Sequence, residues 1–161
     1  MILNILTDPN TILHQKSRPL SKEDILSKDI QNLIKQMIPT MYLKDGVGLA
    51  APQVGELVQI CIISREYNKD KTKDLVLINP VWKKASVLKE WSDEGCLSVP
   101  DVYGKVKRWK KIRLQALDRD GKEINITVGG FLAKIIQHEV DHLHGIIFTE
   151  KAKDLHTVYK E

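Results

Sequence analysis

The chain reads as a single α+β domain in which mainly antiparallel sheets wrap around a central C-terminal helix, with a second helix ahead of the strands. Three observations predict this. Apolar side chains recur every three or four residues over 29–44, strand-like segments follow one another from 57 to 128, and residues 131–145 (FLAKIIQHEVDHLHG) hold no breaker until Gly145. At 161 residues and 42% hydrophobic content the chain can bury one core without staples, so one domain over 1–161 is expected.

The elements follow in order. The N-terminal stretch MILNILTDPN has neither a basic flank nor a long apolar run, so neither a signal peptide nor a membrane span is expected. A cytoplasmic location follows, or an organelle or host cytoplasm for an organellar or phage-encoded chain. Ile30, Leu33, Ile34, Met37, Met41 and Tyr42 form the apolar stripe of the first helix, and Pro39, which lacks an N–H, predicts a kink or break within it. The segment GVGLAAPQVGE is too rich in Gly and Pro for a regular element and too apolar for a linker, so an ordered, packed loop is expected. Strands are expected at 57–63, 74–79, 81–89, 102–108, 111–118 and 123–128, the last two joined by a hairpin turn at DRDG, 118–121. Leu132, Ile135, Ile136, Val140 and Leu143 then mark a helix buried on more than one side.

Charge and cysteine content narrow the function classes. The net charge of +4 allows an anionic partner, but the basic residues are scattered. The dense stretch KVKRWKKIR at 105–113 reads as the solvated alternation of an edge strand, with nucleic-acid binding as the alternative. No membrane partner and no specific nucleic acid are expected. Two cysteines allow at most one disulfide. Cys61, inside VQICII, reads as a buried apolar thiol, whereas Cys96, in EGCLSVP, sits in a turn that could present it to a ligand.

The chemistry concentrates in HEVDH, 138–142. Residues four apart share a helix face, so His138 and His142 can converge on one metal ion, while Glu139, turned about 100° around the axis, faces a water at that ion. The plainer alternative is two hydrogen-bonded core histidines and a glutamate paired with lysine. A catalytic centre needs a third ligand and an open position. In the metzincin continuation HExxHxxGxxH, Gly145 fits but Phe148 stands where the third histidine belongs. A glutamate on a later helix, as in gluzincins, has too little chain after His142. Upstream, Cys96 is the best candidate, a thiolate being a strong ligand for zinc or ferrous iron.

Three stretches, GVGLAAPQ at 46–53, EGCLS at 94–98 and QHEVDHLHG at 137–145, resemble the signature motifs of the peptide deformylase family, in family order and spacing. The resemblance spans residues 1–150 and implies removal of the formyl group from N-formylmethionine of newly made polypeptides, with release of formate. It implies Cys96, His138 and His142 as ligands of one divalent metal ion. Ferrous iron is expected in the cell, and zinc or nickel is able to occupy the same set in a purified sample. It further implies a metal-bound water attacking the formyl carbonyl, with Glu139 as general acid and base and with Gln53 and the Leu97 backbone N–H as donors to the oxyanion. Gly48 would pair with an extended substrate. Val47, Leu49, Phe131 and Ile135 would line a methionine pocket, although plain core is the other reading of each. Glu94 and Arg108 would form an ion pair behind the cysteine turn. Asp141 either orients a ligand imidazole or is solvated, and Lys134 either reaches the pocket rim or meets a substrate oxygen. His144 and His156 are expected at the surface. Partners implied are formyl-Met nascent peptides and a transient ribosome contact. A general metalloendopeptidase and a structural-metal or RNA-binding module are the competing classes.

Overall fold

The computed structural model describes residues 1–159. A short helix α1 (Lys22–Leu26) leads directly into α2 (Lys28–Leu43). Ser21 caps α1 by accepting from the Asp24 N–H while the Asp24 carboxylate accepts from the Ser21 N–H, and Ser27 caps α2 from the Ile30 N–H. The expected break at Pro39 does not occur. Pro39 is exposed, so the Lys35 carbonyl that loses its partner faces the solvated side of the helix, and α2 runs through.

Five strands form one antiparallel sheet in the order β1-β2-β3-β6-β7: β1 (Gly48–Ala50), β2 (Ile60–Ile63), β3 (Leu75–Lys84), β6 (Lys111–Leu117) and β7 (Glu123–Gly129). A second antiparallel sheet holds β4 (Lys89–Cys96), β5 (Val99–Trp109) and β8 (Lys153–Thr157) in the order β4-β5-β8. The helix α3 (Gly130–Leu143) lies between them and packs on β1, β2, β7 and β5.

Strand alternation divides the core. Ile60, Ile62, Val76 and Ile78 face α1 and α2, joining Ile25, Ile34, Met37 and Met41. Cys61, Ile63, Leu77, Ile112 and Leu114 face the other way, onto Ala133, Ile136 and Val140 of α3. A third cluster, with Leu13, Val106, Ile147 and Phe148 at its heart, seals the second sheet against the chain after α3.

Several expectations are corrected. The packed loop at 46–56 contains β1 and a 3-10 turn, Ala51–Val54; three buried residues pair with β2 because their backbone groups lie too deep for water to satisfy. The segments expected at 74–79 and 81–89 are one strand with a bulge between Ile78 and Val81, where Asn79 takes φ 51° and its side chain bonds the Leu20 backbone in both directions. That strand ends at Lys84, and β4, Lys89–Cys96, is a further strand that was not expected. The basic stretch at 105–113 is not an edge strand over its length: β5 is the middle strand of its sheet, with β8 against Val102–Lys105, and Arg108 is buried.

Gly145 ends α3 at φ 74°, where a Cβ would stand 2.7 Å from the backbone carbon and oxygen of His14. Gly130 has φ 63° but open space around its Cβ position. Gly130→Ala should therefore cost about 1–2 kcal/mol, the left-handed backbone penalty alone. Gly145→Ala should cost clearly more, because backbone must move. Urea unfolding of both variants, with unchanged slope and a lower midpoint for Gly145→Ala, checks the difference.

Candidate metal centre

The centre forms where α3 passes beneath the tight turn joining β4 and β5. Cys96 is the last residue of β4, and Leu97 and Ser98 make the turn to Val99, the register partner of Cys96. One ligand atom each from Cys96, His138 and His142 lies within 4.8 Å of the others. The Cys96 Sγ is 3.3 Å from the His142 Nε2. The His138 Nδ1 meets the Glu94 Oε1 at 2.8 Å, which leaves its Nε2 for a ligand. Both imidazoles are buried, and Phe148, at the position of the missing metzincin histidine, stacks on His138 with ring centroids 6.1 Å apart.

The donor set fits a divalent cation. A thiolate and two imidazole nitrogens, converging inside a buried pocket, are the soft and borderline ligands that zinc and ferrous iron prefer. The His142 Nδ1 and the Glu139 Oε2 are buried without a hydrogen-bond partner among the described residues. A free carboxylate oxygen beside converging ligands is otherwise hard to account for, since a buried acceptor left unpaired is costly.

Charge is concentrated behind the ligands. Arg108, 3% exposed, donates from Nε and Nη2 to the two oxygens of Glu94, each at 2.8 Å, and from Nη1 to the Asp141 Oδ2 at 2.5 Å. Lys151 adds a 3.0 Å contact to Asp141. The expected Glu94–Arg108 pair is thus present and bidentate. Asp141 fits neither earlier reading: it is buried, but it anchors Arg108 rather than an imidazole. Burial works against the Glu94 carboxylate, yet its bonds to Arg108 and His138 outweigh burial and push its pKa down to about 2.

Glu139, buried, sits at the wall of the same pocket. Burial, opposed by the nearby His138 and Arg108, pushes its carboxyl up to about 7. Burial likewise holds the His142 imidazole well below its ordinary value and lifts the Cys61 thiol well above its own. For His138 burial acts downward, but the Cys96 and Glu94 hydrogen bonds and the Glu139 charge prevail and hold it high. Gly48 lets Glu139 in: a Cβ there would lie 2.5 Å from the Glu139 Oε1. The glycine that the sequence reading reserved for substrate is already required by the protein's own acid.

Gln53, 2% exposed, has its amide fixed. Its Oε1 accepts from the Ala50 N–H at 2.9 Å, and its Nε2 donates to the Ser98 Oγ at 3.1 Å and toward the Cys96 Sγ at 3.4 Å. Ser98, unremarked in the sequence, is therefore what aims Gln53, and only the fold brings it there. A cavity of about 830 Å³ opens over these groups, and Val47, Gly48, Leu97, Phe131 and Ile135 lie on its wall. Leu49 does not: alternation along β1 turns it into the α2 core, fully buried. Lys134 lines the cavity, and its ammonium pairs with the Glu90 Oε1 at 3.1 Å. His144 and His156 are exposed, as expected.

The polypeptide deformylase family model matches residues 2–158. The chain is 40% identical to a peptide deformylase of Symbiobacterium thermophilum over 99% of its own length and 71% of that protein's. A solved class I type b peptide deformylase from Acinetobacter baumannii superposes with a TM-score of 0.87 at 34% identity, covering 94% of this chain and 99% of the other. A structure of that enzyme bound to Met-Ala-Ser gives 0.86 at 33% identity, over 94% and 98% of the two chains.

Removing Arg108 takes the guanidinium from two buried carboxylates, Glu94 and Asp141. Arg108→Met should cost about 3–5 kcal/mol in urea unfolding, whereas Lys151→Met, at a side chain 43% exposed, should cost under about 1 kcal/mol.

Proposed function

The chain belongs to the polypeptide deformylase family, and from that membership and the centre just described we infer how it works as a metal-dependent hydrolase that removes the N-formyl group from formylmethionyl peptides. The observation that carries the reading is the convergence of Cys96, His138 and His142 next to a buried Glu139 with an unpartnered oxygen, at the base of one cavity.

A divalent cation on these three ligands would polarise the formyl carbonyl and acidify a water for its hydrolysis. The chain's own residues supply the rest. Glu139 takes the proton of the attacking water at its free Oε2 and returns it to the leaving amine nitrogen. The Gln53 Nε2, aimed by Ala50 and Ser98, donates to the formyl oxygen as it becomes negative, together with the Leu97 backbone N–H. The peptide lies extended along β1, which is at one end of its sheet and pairs with β2 on only one side. Val47, Phe131 and Ile135 bound the methionine side chain, and the Met-Ala-Ser complex of the Acinetobacter baumannii enzyme supports a ligand of this class. Glu94 holds the His138 ring in the orientation that leaves Nε2 for the metal, and Arg108 holds Glu94.

We assign ferrous iron as the cellular metal, with zinc and nickel able to use the same ligands, and place the enzyme in the cytoplasm, in transient contact with ribosomes. No helix among the described residues is long and apolar enough to cross a membrane.

Formate release from formyl-Met-Ala-Ser by the iron-loaded chain tests the reading; an inactive wild type would overturn it. Glu139→Gln should lower kcat about 10²–10⁴-fold with metal content unchanged. Gln53→Ala should lower it about 10²–10³-fold with little change in KM. Cys96→Ser should lose metal on dialysis, seen by elemental analysis independently of activity.

A further inference from the structure

The strands that present the metal centre on one side carry a different chemistry on the other. On β4 and β5 the inward residues are Glu94, Cys96 and Arg108, and the outward ones include Lys89, Trp91, Lys105 and Lys107. Trp91 is 43% exposed, with the ammonium groups of Lys107 and Lys153 over its ring at 5.7 and 5.1 Å. Trp109, half-buried where it packs against the α3 cluster, carries Lys84 and Lys89 on its open side at 5.0 and 4.6 Å. The register sets Trp91 opposite Lys107 and Lys89 opposite Trp109, so the two indoles are diagonal neighbours on one face. Lys105, opposite Asp93 on β4 and Lys153 on β8, extends the row. None of these lysines forms an ion pair among the described residues, and Asp93 is the one acid among the outward residues of the paired segments 89–95 and 103–109.

We propose that this outward face of the β4-β5-β8 sheet binds single-stranded RNA without sequence preference, bases stacking on Trp91 and Trp109 and phosphates meeting Lys89, Lys107 and Lys153. Charge complementarity selects a polyanion, and the indoles select one with unpaired bases, since bases inside a duplex offer no face to a sheet. A protein partner fits poorly, because the cores of protein interfaces are depleted in lysine. The lysines now above the rings are no obstacle: an exposed cation–π contact is weaker than a base stacked on an indole, and a displaced ammonium gains a phosphate. The face reaches the cavity mouth at Asp93 and Tyr103, but neither indole and none of the named lysines lines the cavity, so this holds whatever the substrate.

Fluorescence anisotropy of a labelled twelve-nucleotide oligouridine with the full chain tests the proposal. Affinity should fall with salt at a log–log slope of about −2 to −3, as expected for three or four phosphate contacts on a single strand. Trp91→Ala should weaken binding about tenfold, and Lys107→Glu with Lys153→Glu at least tenfold, each with formate release at the wild-type level. The lysine variants change only exposed side chains, so they decide the matter even if Trp91→Ala misfolds. The proposal is overturned if oligouridine does not bind, if the variants bind it as the wild type does, if a duplex RNA of equal length binds as tightly, or if phosphatidylserine vesicles bind and oligouridine does not.

Discussion

Arg108 joins two parts of the fold that have no covalent reason to be in register. It leaves β5, binds both oxygens of Glu94 on β4, and reaches Asp141 on α3. Glu94 in turn bonds the His138 Nδ1. One guanidinium thus ties the strand that ends in Cys96 to the helix that carries both imidazoles. The planar fork of arginine suits this: its five donors are fixed in direction, so the carboxylates it binds are fixed as well, which a lysine on a flexible stem would not achieve. Burial of three charges is tolerable only because each is met by opposite charge and hydrogen bonds, and the depressed pKa of Glu94 reflects that compensation. The centre owes its geometry to this network as much as to its ligands.

Much of this was legible from periodicity, and the exceptions share a cause. A helix repeats every 3.6 residues wherever it lies, so HEVDH alone placed His138 and His142 on one face and Glu139 beside it. The hairpin of β6 and β7 is likewise written in its alternation and in DRDG. By contrast, Ser98 and the Arg108–Asp141 contact depend on pairs distant in sequence and have no local signal. The family resemblance points to Leu49, with Val47, as lining the methionine pocket. The strand β1, hidden by its glycine and proline neighbours, turns alternate residues to opposite sides, and Leu49 faces α2. Recognising a three-residue strand in GVGLAAPQ would have required its partner, β2. Pro39 misled for a related reason: its cost depends on whether the stranded carbonyl meets water, which is a property of the helix's exposed side.

Gly48 and Glu139 show how one contact can serve two demands. The family resemblance implies a residue without Cβ at position 48, where a substrate backbone would approach. The structure shows that the Glu139 carboxylate already occupies the space a Cβ would take. A larger residue would push the acid away from the ligands before any peptide arrived. Cys61, on β2, lies in the core between the sheet and α3, its thiol pushed well above its ordinary value by burial and by the Glu139 charge. Glycine at position 48 is thus a choice of volume beside a buried carboxylate.

The same strand alternation that aims Glu94, Cys96 and Arg108 inward obliges their neighbours to face out. What those neighbours are is not dictated by the metal centre: serine or threonine would fill a solvated face equally well, with high strand propensity in the case of threonine. The chain instead sets lysines around an exposed Trp91 and a half-buried Trp109, residues whose large apolar area is costly to leave in water. Their cation–π contacts recover little of that cost at an exposed site. Because the indoles sit on rigid, paired strands rather than in a loop, they are held in a fixed relation to the ligand turn at Cys96, and any molecule bound on the outer face is held in that relation too.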